Sequence, residues 1–359
     1  MTPADSLGFG VVGCGGAATD MCRAVEQLPA AHVAAVYDRL DTRAEALSSR
    51  FGGTIHSSVD ALVTDPAVQV VYVGLPHHLL AQASAAALEA GKHAVVEKPM
   101  ALEVETIHSL ERVASARGLV LVPVFELRTT ALIREARRLV LDGALGPVRV
   151  VRIRTVIDKP QSYWQSGPTG LVADGWRARR AEAGGGVVLM NSIHQLDAVR
   201  FLTGLSFVSA AAATATLHAA VDVEDSAAAA LRLSNDGLAS LVASAHSPGA
   251  VDEERIEVDG ADGRLDLPDP SAPACPPARL YLRRPWRGLP SDTWLELEAD
   301  GTDAYRELAR GVVDSILGGG TPPASADDAA AALATVLAIY ESAETGYEAR
   351  VRSSAEATV

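Results

Sequence analysis

Short apolar runs alternate with longer alanine-rich segments over roughly the first 120 residues, and this alternation constrains the fold most. Apolar runs of this kind are typical of parallel strands covered by helices on both faces. The segments between them predict crossover helices, so this part of the chain is expected to be a doubly wound α/β domain. We predict strands at Gly8–Val12, Val33–Tyr37, Val70–Val73, His93–Val96 and Leu119–Val122, and helices at Ala17–Gln27, Thr42–Phe51, Leu79–Ala90 and Val104–Arg117.

The pattern changes after Pro123, so we place a domain boundary between residues 1–123 and 124–359. The second part mixes helices with alternating runs, which are typical of a more open sheet with one solvated or partner-facing side. The two C-terminal helices are candidates for packing back on the first domain. We predict helices at Ala131–Leu141, Gly184–Gly204, Thr302–Leu317 and Ala326–Thr345, strands at Val148–Val156, Val208–Ala219, Ser226–Leu233 and Leu238–His246, and a surface excursion at Pro268–Pro285.

Composition excludes several classes of function. The 31 basic and 45 acidic residues give a net charge of −14 without a long basic run, which argues against nucleic-acid and membrane partners. The three cysteines form no Cys-x-x-Cys pair, and no signal peptide or membrane span is visible, so we expect a cytoplasmic protein. Among the nine histidines we find no metal-ligand cluster and expect no metal.

A glycine-rich turn follows the first predicted strand and opens the first predicted helix. Gly13, Gly15 and Ala18 give the pattern G-x-G-x-x-A in the context that a dinucleotide site requires. Gly13 permits a tight turn, Gly15 lets a pyrophosphate approach the backbone, and Ala18 keeps the helix close to the sheet. We expect Gly16 and Ala17 to border the same site, although the turn alone is also compatible with a purely structural role.

Asp38 ends the second predicted strand about 20 residues downstream, where an acid binds the adenosine ribose hydroxyls. A carboxylate there repels a 2′-phosphate and therefore favours NAD over NADP. Arg39 leaves NADP open, because a guanidinium at this place can pair with the phosphate.

The phrase Glu97-Lys98-Pro99 after the fourth predicted strand resembles the hallmark of the glucose-fructose oxidoreductase, inositol dehydrogenase and rhizopine-catabolism family, Gfo/Idh/MocA. The resemblance covers nearly the whole chain. It implies an N-terminal Rossmann domain and a C-terminal α+β domain with an open, mostly antiparallel sheet that often forms the subunit interface. The other matching segments are Leu75-Pro76-His77-His78, Trp176-Arg177, Gly184-Gly185-Gly186, His194-x-x-Asp197 and Tyr340-Glu341-Ser342-Ala343-x-Thr345-Gly346.

The resemblance implies that Lys98 projects into the cleft beside the nicotinamide and the reacting carbon. Chemistry supports this role, because hydride leaves a carbinol carbon readily only when the hydroxyl proton is also removed. A desolvated lysine beside a cationic nicotinamide can accept that proton. Glu97 is expected to hold Lys98 by a hydrogen bond and to border the cofactor, and Pro99 to fix the backbone that aims the lysine.

His194 is the second expected catalytic residue. Many dehydrogenases of the family carry an acid four residues before this histidine, but here the position is Met190. Helical spacing places Met190, Asn191, His194 and Asp197 on one stripe, so Asn191 is a candidate hydrogen-bonding substitute. Asp197 is either part of this site or a buried orienting group.

Other residues are candidates for binding cofactor or substrate. The family pattern places Pro76 and His77 in a loop beside the nicotinamide ribose, with His78 an exposed neighbour. An indole stacks well on a sugar ring and a guanidinium binds hydroxyls or a carboxylate, which favours Trp176 and Arg177 for the substrate side. Tyr163, with Trp164, is a candidate for the same pocket or for the core. Glu126 and Arg128 are expected either to contact substrate or to pair across the domain junction.

These expectations converge on an NAD(P)-dependent dehydrogenase or reductase acting on a CH–OH group of a polyhydroxylated small molecule. Two alternatives remain open: the same fold with internally recycled NAD, through oxidation, elimination and re-reduction, and a catalytically silent sugar or dinucleotide sensor. Because one face of the predicted second sheet has no covering helix, we expect a homodimer or homotetramer.

Overall fold

The computed structural model describes residues 6–167, 170, 175–250, 253–270, 276–297, 301 and 303–352. It contains two sheets, one of six parallel strands and one of nine mostly antiparallel strands. The predicted fold class is thereby confirmed. Among the described residues, no helix combines the length and apolar character needed to cross a bilayer.

The first sheet has the strand order β3-β2-β1-β4-β5-β6. The chain leaves β1 for β2 on one side and later pairs β4 on the other, which creates a crevice at the carboxyl ends of β1 and β4. The strands are β1 Leu7–Val12, β2 Ala31–Tyr37, β3 Thr54–Ile55, β4 Val70–Val73, β5 His93–Val96 and β6 Leu121–Pro123; the helices are α1 Gly16–Glu26, α2 Asp41–Phe51, α3 Val59–Val63, α4 His77–Glu89 and α5 Val104–Ala116.

Successive side chains of these strands enter two different cores, which explains why the strands are continuously apolar. On β4, Val71 and Val73 join the core beneath α4 and α5, whereas Val70 and Tyr72 join the core beneath α1. Every residue of β1 is buried.

The predicted helix at Leu79–Ala90 begins earlier, at His77, so His77 and His78 lie on the first turn of α4 and not in a loop. Pro76 precedes the helix, where its fixed φ is favourable.

The second sheet has the order β14-β13-β12-β11-β7-β10-β9-β8-β15, and β7 and β10 are its parallel pair. The observed strands agree with the predicted bounds Val148–Val156 and Ser226–Leu233 and with the predicted start at Leu238. Pro268–Pro285 is not simply a surface excursion, because it contains β13. The strands are β7 Val148–Val156, β8 Phe207–Ala215, β9 Ser226–Leu233, β10 Leu238–Ser244, β11 Glu253–Gly260, β12 Gly263–Pro268, β13 Ala278–Leu282, β14 Trp294–Leu297 and β15 Ala349–Arg350; the helices are α6 Ala131–Leu141, α7 Gln161–Ser166, α8 Arg180–Ala183, α9 Ile193–Thr203, α10 Ala304–Gly318 and α11 Ala326–Thr345.

The predicted helix at Gly184–Gly204 is interrupted at its start. A π-helical turn spans Val188–Ser192 before α9, and Gly204 ends α9 in the left-handed conformation. The buried carboxylate of Glu224 anchors the turn by accepting hydrogen bonds from the backbone N–H groups of Gly186 at 2.7 Å and Val188 at 3.0 Å and from the Tyr340 hydroxyl at 2.8 Å. A Cβ on Gly186 would lie 1.7 Å from the Glu224 carbonyl oxygen, so only glycine fits there.

Helix α10 returns to the first sheet. Its apolar residues Leu308, Val312 and Val313 share a core with Met21 and Val25 of α1. The predicted start of this helix, Thr302, lies outside the described residues. Helix α11 begins at a capping box in which Ser325 and Asp328 exchange hydrogen bonds.

Candidate active site

The glycine turn between β1 and α1 leaves room for an anion. Gly13 has φ +89°, and a Cβ there would lie 2.4 Å from the Gly74 carbonyl oxygen. A Cβ on Gly15, by contrast, would meet no protein atom within 4 Å. Helix α1 has no side-chain cap at its N-terminus, so its first backbone N–H groups have no side-chain acceptor. Ala18 is buried against the sheet. The turn therefore fits the pyrophosphate of a dinucleotide.

Asp38 is buried just after β2 and stabilises the glycine turn through hydrogen bonds. Its carboxylate accepts hydrogen bonds at 2.9 Å from the backbone N–H groups of Cys14 and Leu40. Arg43 of α2, which the sequence analysis did not identify, places Nη1 3.9 Å from Asp38 Oδ2. Burial raises the pKa of the Cys14 thiol to about 12, so this cysteine is uncharged at neutral pH.

A cleft of about 810 Å³ extends from the glycine turn to the second part of the chain. This volume is within the range of ordinary small-molecule sites. The sequence-predicted site residues that line it are Gly13, Gly15, Gly16, Ala17, Ala18, Asp38, Arg39, Pro76, His77, Glu97, Lys98, Trp176, Arg177 and His194. Arg43, Glu126 and Tyr305 line it as well.

Lys98 follows β5 and faces the carbonyl oxygen of Met190, to which its Nζ donates a hydrogen bond. Burial lowers the pKa of the Lys98 ammonium group, and Arg177 adds to this effect, whereas Glu97 and Glu126 oppose it. The lysine is therefore better able to lose and regain a proton near neutral pH than a solvated lysine.

Glu97 binds two phenols and not Lys98, so the expected hydrogen bond between these neighbours does not form. The Tyr72 hydroxyl donates to Glu97 Oε1 at 2.8 Å, and the Tyr305 hydroxyl donates to the same oxygen at 3.4 Å. Burial raises the pKa of the Glu97 carboxyl and of both tyrosines. Because Tyr305 lies on α10, the returning helix completes the wall of the cleft.

His194 lies in the first turn of α9, with Nδ1 3.3 Å from Glu126 Oε1. Burial alone would raise the pKa of the Glu126 carboxyl, but His194 and Lys98 outweigh it and lower this pKa. The sequence analysis identified both residues but not their contact. Met190 directs its sulfur towards Tyr163, whose hydroxyl oxygen is 3.9 Å from Sδ.

The expected stripe of Met190, Asn191, His194 and Asp197 does not form. The π-helical turn changes the phase of the helix between Met190 and His194. Asp197 is buried and binds Arg128. This arrangement supports the orienting role for Asp197, and Arg128 pairs with Asp197 and Asp328 within the second part of the chain and not across the predicted junction. Asn191 does not line the cleft.

His77 and Trp176 form the wall between the two parts of the chain. His77 Nδ1 donates a hydrogen bond to the Ala183 carbonyl oxygen at 2.7 Å, and its ring meets the Trp176 ring edge-on with centroids 4.6 Å apart. Burial lowers the pKa of His77 to about 3, so the imidazole is neutral and its proton is on Nδ1. His78 is exposed, as expected.

Arg177 stacks its guanidinium over two aromatic rings, with Cζ 4.5 Å from the Trp176 centroid and 5.5 Å from that of Tyr163. Its Nη1 is buried and has no hydrogen-bond partner among the described residues. Burying a donor without a partner destabilises the folded protein, unless the oxygen of a bound ligand accepts its hydrogen bond. Tyr163 is buried behind Arg177 and does not line the cleft.

One histidine outside the cleft has two carboxylates nearby, which the sequence analysis did not foresee. His108 Nδ1 lies 3.8 Å from Glu111 Oε2 and 3.9 Å from Asp327 Oδ1. These three side chains could present ligand atoms to one cation, but Asp327 is largely exposed and the distances are those of surface ion pairs. Asp327 reaches His108 from α11, a contact that spacing along α5 does not reveal.

Comparison with known proteins places each part of the chain in the same family. Residues 7–125 match the family described as the oxidoreductase family, NAD-binding Rossmann fold. Residues 133–266 match the one described as the GFO/IDH/MocA C-terminal domain. The two matches together include the first sheet, most of the second sheet, and Lys98 and His194 of the cleft.

Individual proteins resemble the chain over most of its length. A 1,5-anhydro-D-fructose reductase from Ensifer adhaerens is 29% identical over 83% of this chain and 84% of its own length. A D-xylose 1-dehydrogenase (NADP(+)) from Haloferax volcanii is 26% identical over 94% of this chain and 98% of its own length. The crystal structure of GenD2 from gentamicin A biosynthesis, in complex with NAD, is 26% identical, with a TM-score of 0.82 over 97% of both chains.

Proposed function

The chain belongs to the Gfo/Idh/MocA family of NAD(P)-binding oxidoreductases, and on this basis we propose that it interconverts a secondary alcohol and a ketone on a sugar, sugar derivative or cyclitol. The observation that carries this proposal is the position of Lys98. It is a half-buried lysine in the cleft that also contains the glycine turn and the unpaired Arg177 donor. Relatives with sugar substrates support the same class of reaction.

The residues divide into two groups along the cleft. Gly13, Gly15, Gly16 and the N-terminus of α1 would hold the pyrophosphate, and Asp38 the adenosine ribose. Pro76, His77 and Glu97 would border the nicotinamide end. A bound nicotinamide supplies the hydride acceptor or donor.

In the oxidation direction, the chain's task is to remove the hydroxyl proton while the C–H bond breaks. Lys98 in its neutral form accepts that proton at Nζ, and His194 hydrogen-bonds the same oxygen. In the reduction direction, the protonated lysine returns the proton to the developing alkoxide. Trp176 packs on the sugar ring and Arg177 donates Nη1 to a ring oxygen or hydroxyl.

Asp38 supports NAD as the preferred cofactor. Its carboxylate is fixed by two backbone N–H groups and cannot easily turn away from an incoming 2′-phosphate. Arg39 and Arg43 border the same end of the cleft and leave NADP as the weaker alternative.

The uncovered face of the nine-stranded sheet supports a homodimer or homotetramer. Leu238 and Val242 are 53% and 51% exposed on β10. Leu238 lies between Arg232 of β9 and Val150 of β7, and Val242 lies between Ala228 and Arg154, so the exposed face combines apolar side chains with arginines. An exposed sheet face with apolar side chains of this kind suits a second copy of the chain.

The decisive experiment is a screen of NAD and NADP against inositols, aldoses, amino sugars and keto sugars, read by the absorbance of the reduced nicotinamide. The proposal expects reduced cofactor to accumulate in proportion to substrate consumed, and expects Lys98→Ala to abolish the signal. Product without net NADH would indicate internally recycled NAD. Cofactor binding without turnover of any panel member would favour a sensor and contradict the proposal.

A further inference from the structure

The acid that the family places on the histidine's own helix is absent here, because position 190 is methionine. The structure supplies a carboxylate from another element. Glu126, in the short helical turn Glu126–Thr129 that follows β6, places Oε1 3.3 Å from His194 Nδ1. The carboxylate therefore reaches the imidazole from a segment that is distant in sequence.

Both side chains have a polar atom that is not satisfied elsewhere. Within the part of the chain that the structure describes, His194 Nδ1 and Glu126 Oε2, the carboxylate oxygen outside the contact, are buried without a hydrogen bond. The 3.3 Å contact is longer than a strong charge-assisted hydrogen bond, as is common for catalytic groups before substrate binds. A carboxylate beside Nδ1 favours the tautomer with the proton on Nδ1 and leaves Nε2 free for the substrate hydroxyl.

A rigid ion pair fixes the spacing of the two residues. Arg128, two positions after Glu126, binds Asp197, three positions after His194, through two hydrogen bonds. The Phe125 ring meets the His194 ring edge-on at 6.4 Å between centroids. The segment that carries Glu126 is therefore locked against the helix that carries His194.

We propose that Glu126 is the positioning residue for His194, in place of the acid that Met190 lacks. The inference rests on the proposed function for the identity of the reaction, but the contact itself does not. Glu126 orients the imidazole, while Lys98 and His194 contact the substrate. Other charged groups that interact with the imidazole are Glu97 and Glu254 of β11.

The first test needs no substrate. Nitrogen-15 NMR of the imidazoles, with His194→Gln used to assign the signal, reports the tautomer of His194. In the wild type we expect the proton on Nδ1, and in Glu126→Gln a mixture of tautomers or a shift towards Nε2–H. Glu254→Gln is the matched control, because it removes a nearby carboxyl that accepts its hydrogen bond from Gln195 instead of contacting Nδ1. An unchanged His194 tautomer in Glu126→Gln would overturn the proposal.

The second test uses turnover. Glu126→Gln should lower kcat roughly 10–100-fold, the loss typical when the outer partner of a functional histidine is removed. In a His194→Ala background the same change should cost almost nothing. An equal loss in both backgrounds would mean that Glu126 acts without His194, and would contradict the inference. If the wild type turns over no substrate, the proposed function fails, and the NMR result still decides on Glu126.

Discussion

The guanidinium of Arg128 donates two hydrogen bonds to the carboxylate of Asp197, at 2.6 Å from Nε and 2.5 Å from Nη2, and a third at 2.8 Å to Asp328 of the α11 capping box. The neighbouring carboxylates raise the pKa of the Arg128 guanidinium despite its burial. Three segments that are distant in sequence are thereby joined directly beneath the active-site cleft.

Asp197→Ala should destabilise the protein strongly, because it leaves the buried Arg128 with only Asp328 as a counter-charge. We expect a decrease of about 3–5 kcal/mol in the free energy of unfolding, measured by urea denaturation followed by circular dichroism. Asp142→Ala, which breaks exposed ion pairs to Arg138 and Arg287, is the control and should cost about 0–1 kcal/mol. Similar losses in the two variants would contradict a structural role for Asp197.

Gly15→Val should greatly weaken the binding of NADH, because the side chain would fill the space over the glycine turn that no protein atom occupies. Isothermal titration calorimetry measures the effect. Gly318→Val is the matched control, since this glycine at the end of α10 also has open space around its Cβ position but lies away from the cleft. Unchanged affinity in Gly15→Val would exclude this turn as the pyrophosphate site.

The wild type should bind NAD more tightly than NADP, and Asp38→Ser should reduce or reverse this preference. The serine removes the negative charge, while Arg39 and Arg43 remain to pair with a 2′-phosphate. Fluorescence titration of both reduced cofactors provides the ratio. Tighter binding of NADP by the wild type would mean that the arginines dominate over Asp38.

Lys98→Ala should lower turnover by roughly 10²–10⁴-fold with little change in cofactor affinity, because a positioned proton-transfer group is lost. Burial lowers the pKa of this lysine, so activity in the oxidation direction should rise through its titration at a pH below that of an ordinary lysine. Steady-state kinetics over pH measure both effects. Lys92→Ala, whose amine binds backbone carbonyls at the edge of β5, is the control. Near-normal turnover by Lys98→Ala would overturn the mechanism.

Val242→Arg should dissociate the proposed oligomer, because it replaces an exposed apolar side chain of the sheet face with a second guanidinium beside Arg154. Multi-angle light scattering of wild type and variant at the same concentration measures the change. A wild-type monomer at micromolar concentration would remove the oligomer proposal.

Sequence patterns predicted those strands whose burial is uniform or strictly alternating. β1, β4 and β5 are apolar throughout because helices cover both faces, and β7 and β9 alternate because one face is open. The strands β11 to β14 were missed because charged residues interrupt their pattern. Asp266, for example, is buried within β12 and is neutralised by Arg255 and Arg279 on the flanking strands.

The positions of the motif residues at strand ends were predictable, because each motif occurs at a defined point of the fold. The glycine turn, Lys98 and His194 accordingly all line the cleft. The contact between Glu126 and His194 was not predictable from one sequence. It depends on how the segment after β6 packs against α9, which no local spacing encodes. The failed stripe around Asn191 has a similar origin, because a π-helical turn is determined by the buried Glu224 and not by helical periodicity.

The packing of α10 against α1 has a consequence for synthesis on the ribosome. The nascent N-terminal sheet emerges long before residues 304–318, which cover one side of α1 with Leu308, Val312 and Val313. Until those residues leave the exit tunnel, the apolar side of α1 stays exposed, and the first half of the molecule has an incomplete core. An expressed fragment of residues 1–123 should therefore aggregate, while supplying residues 303–320 in trans should restore its solubility.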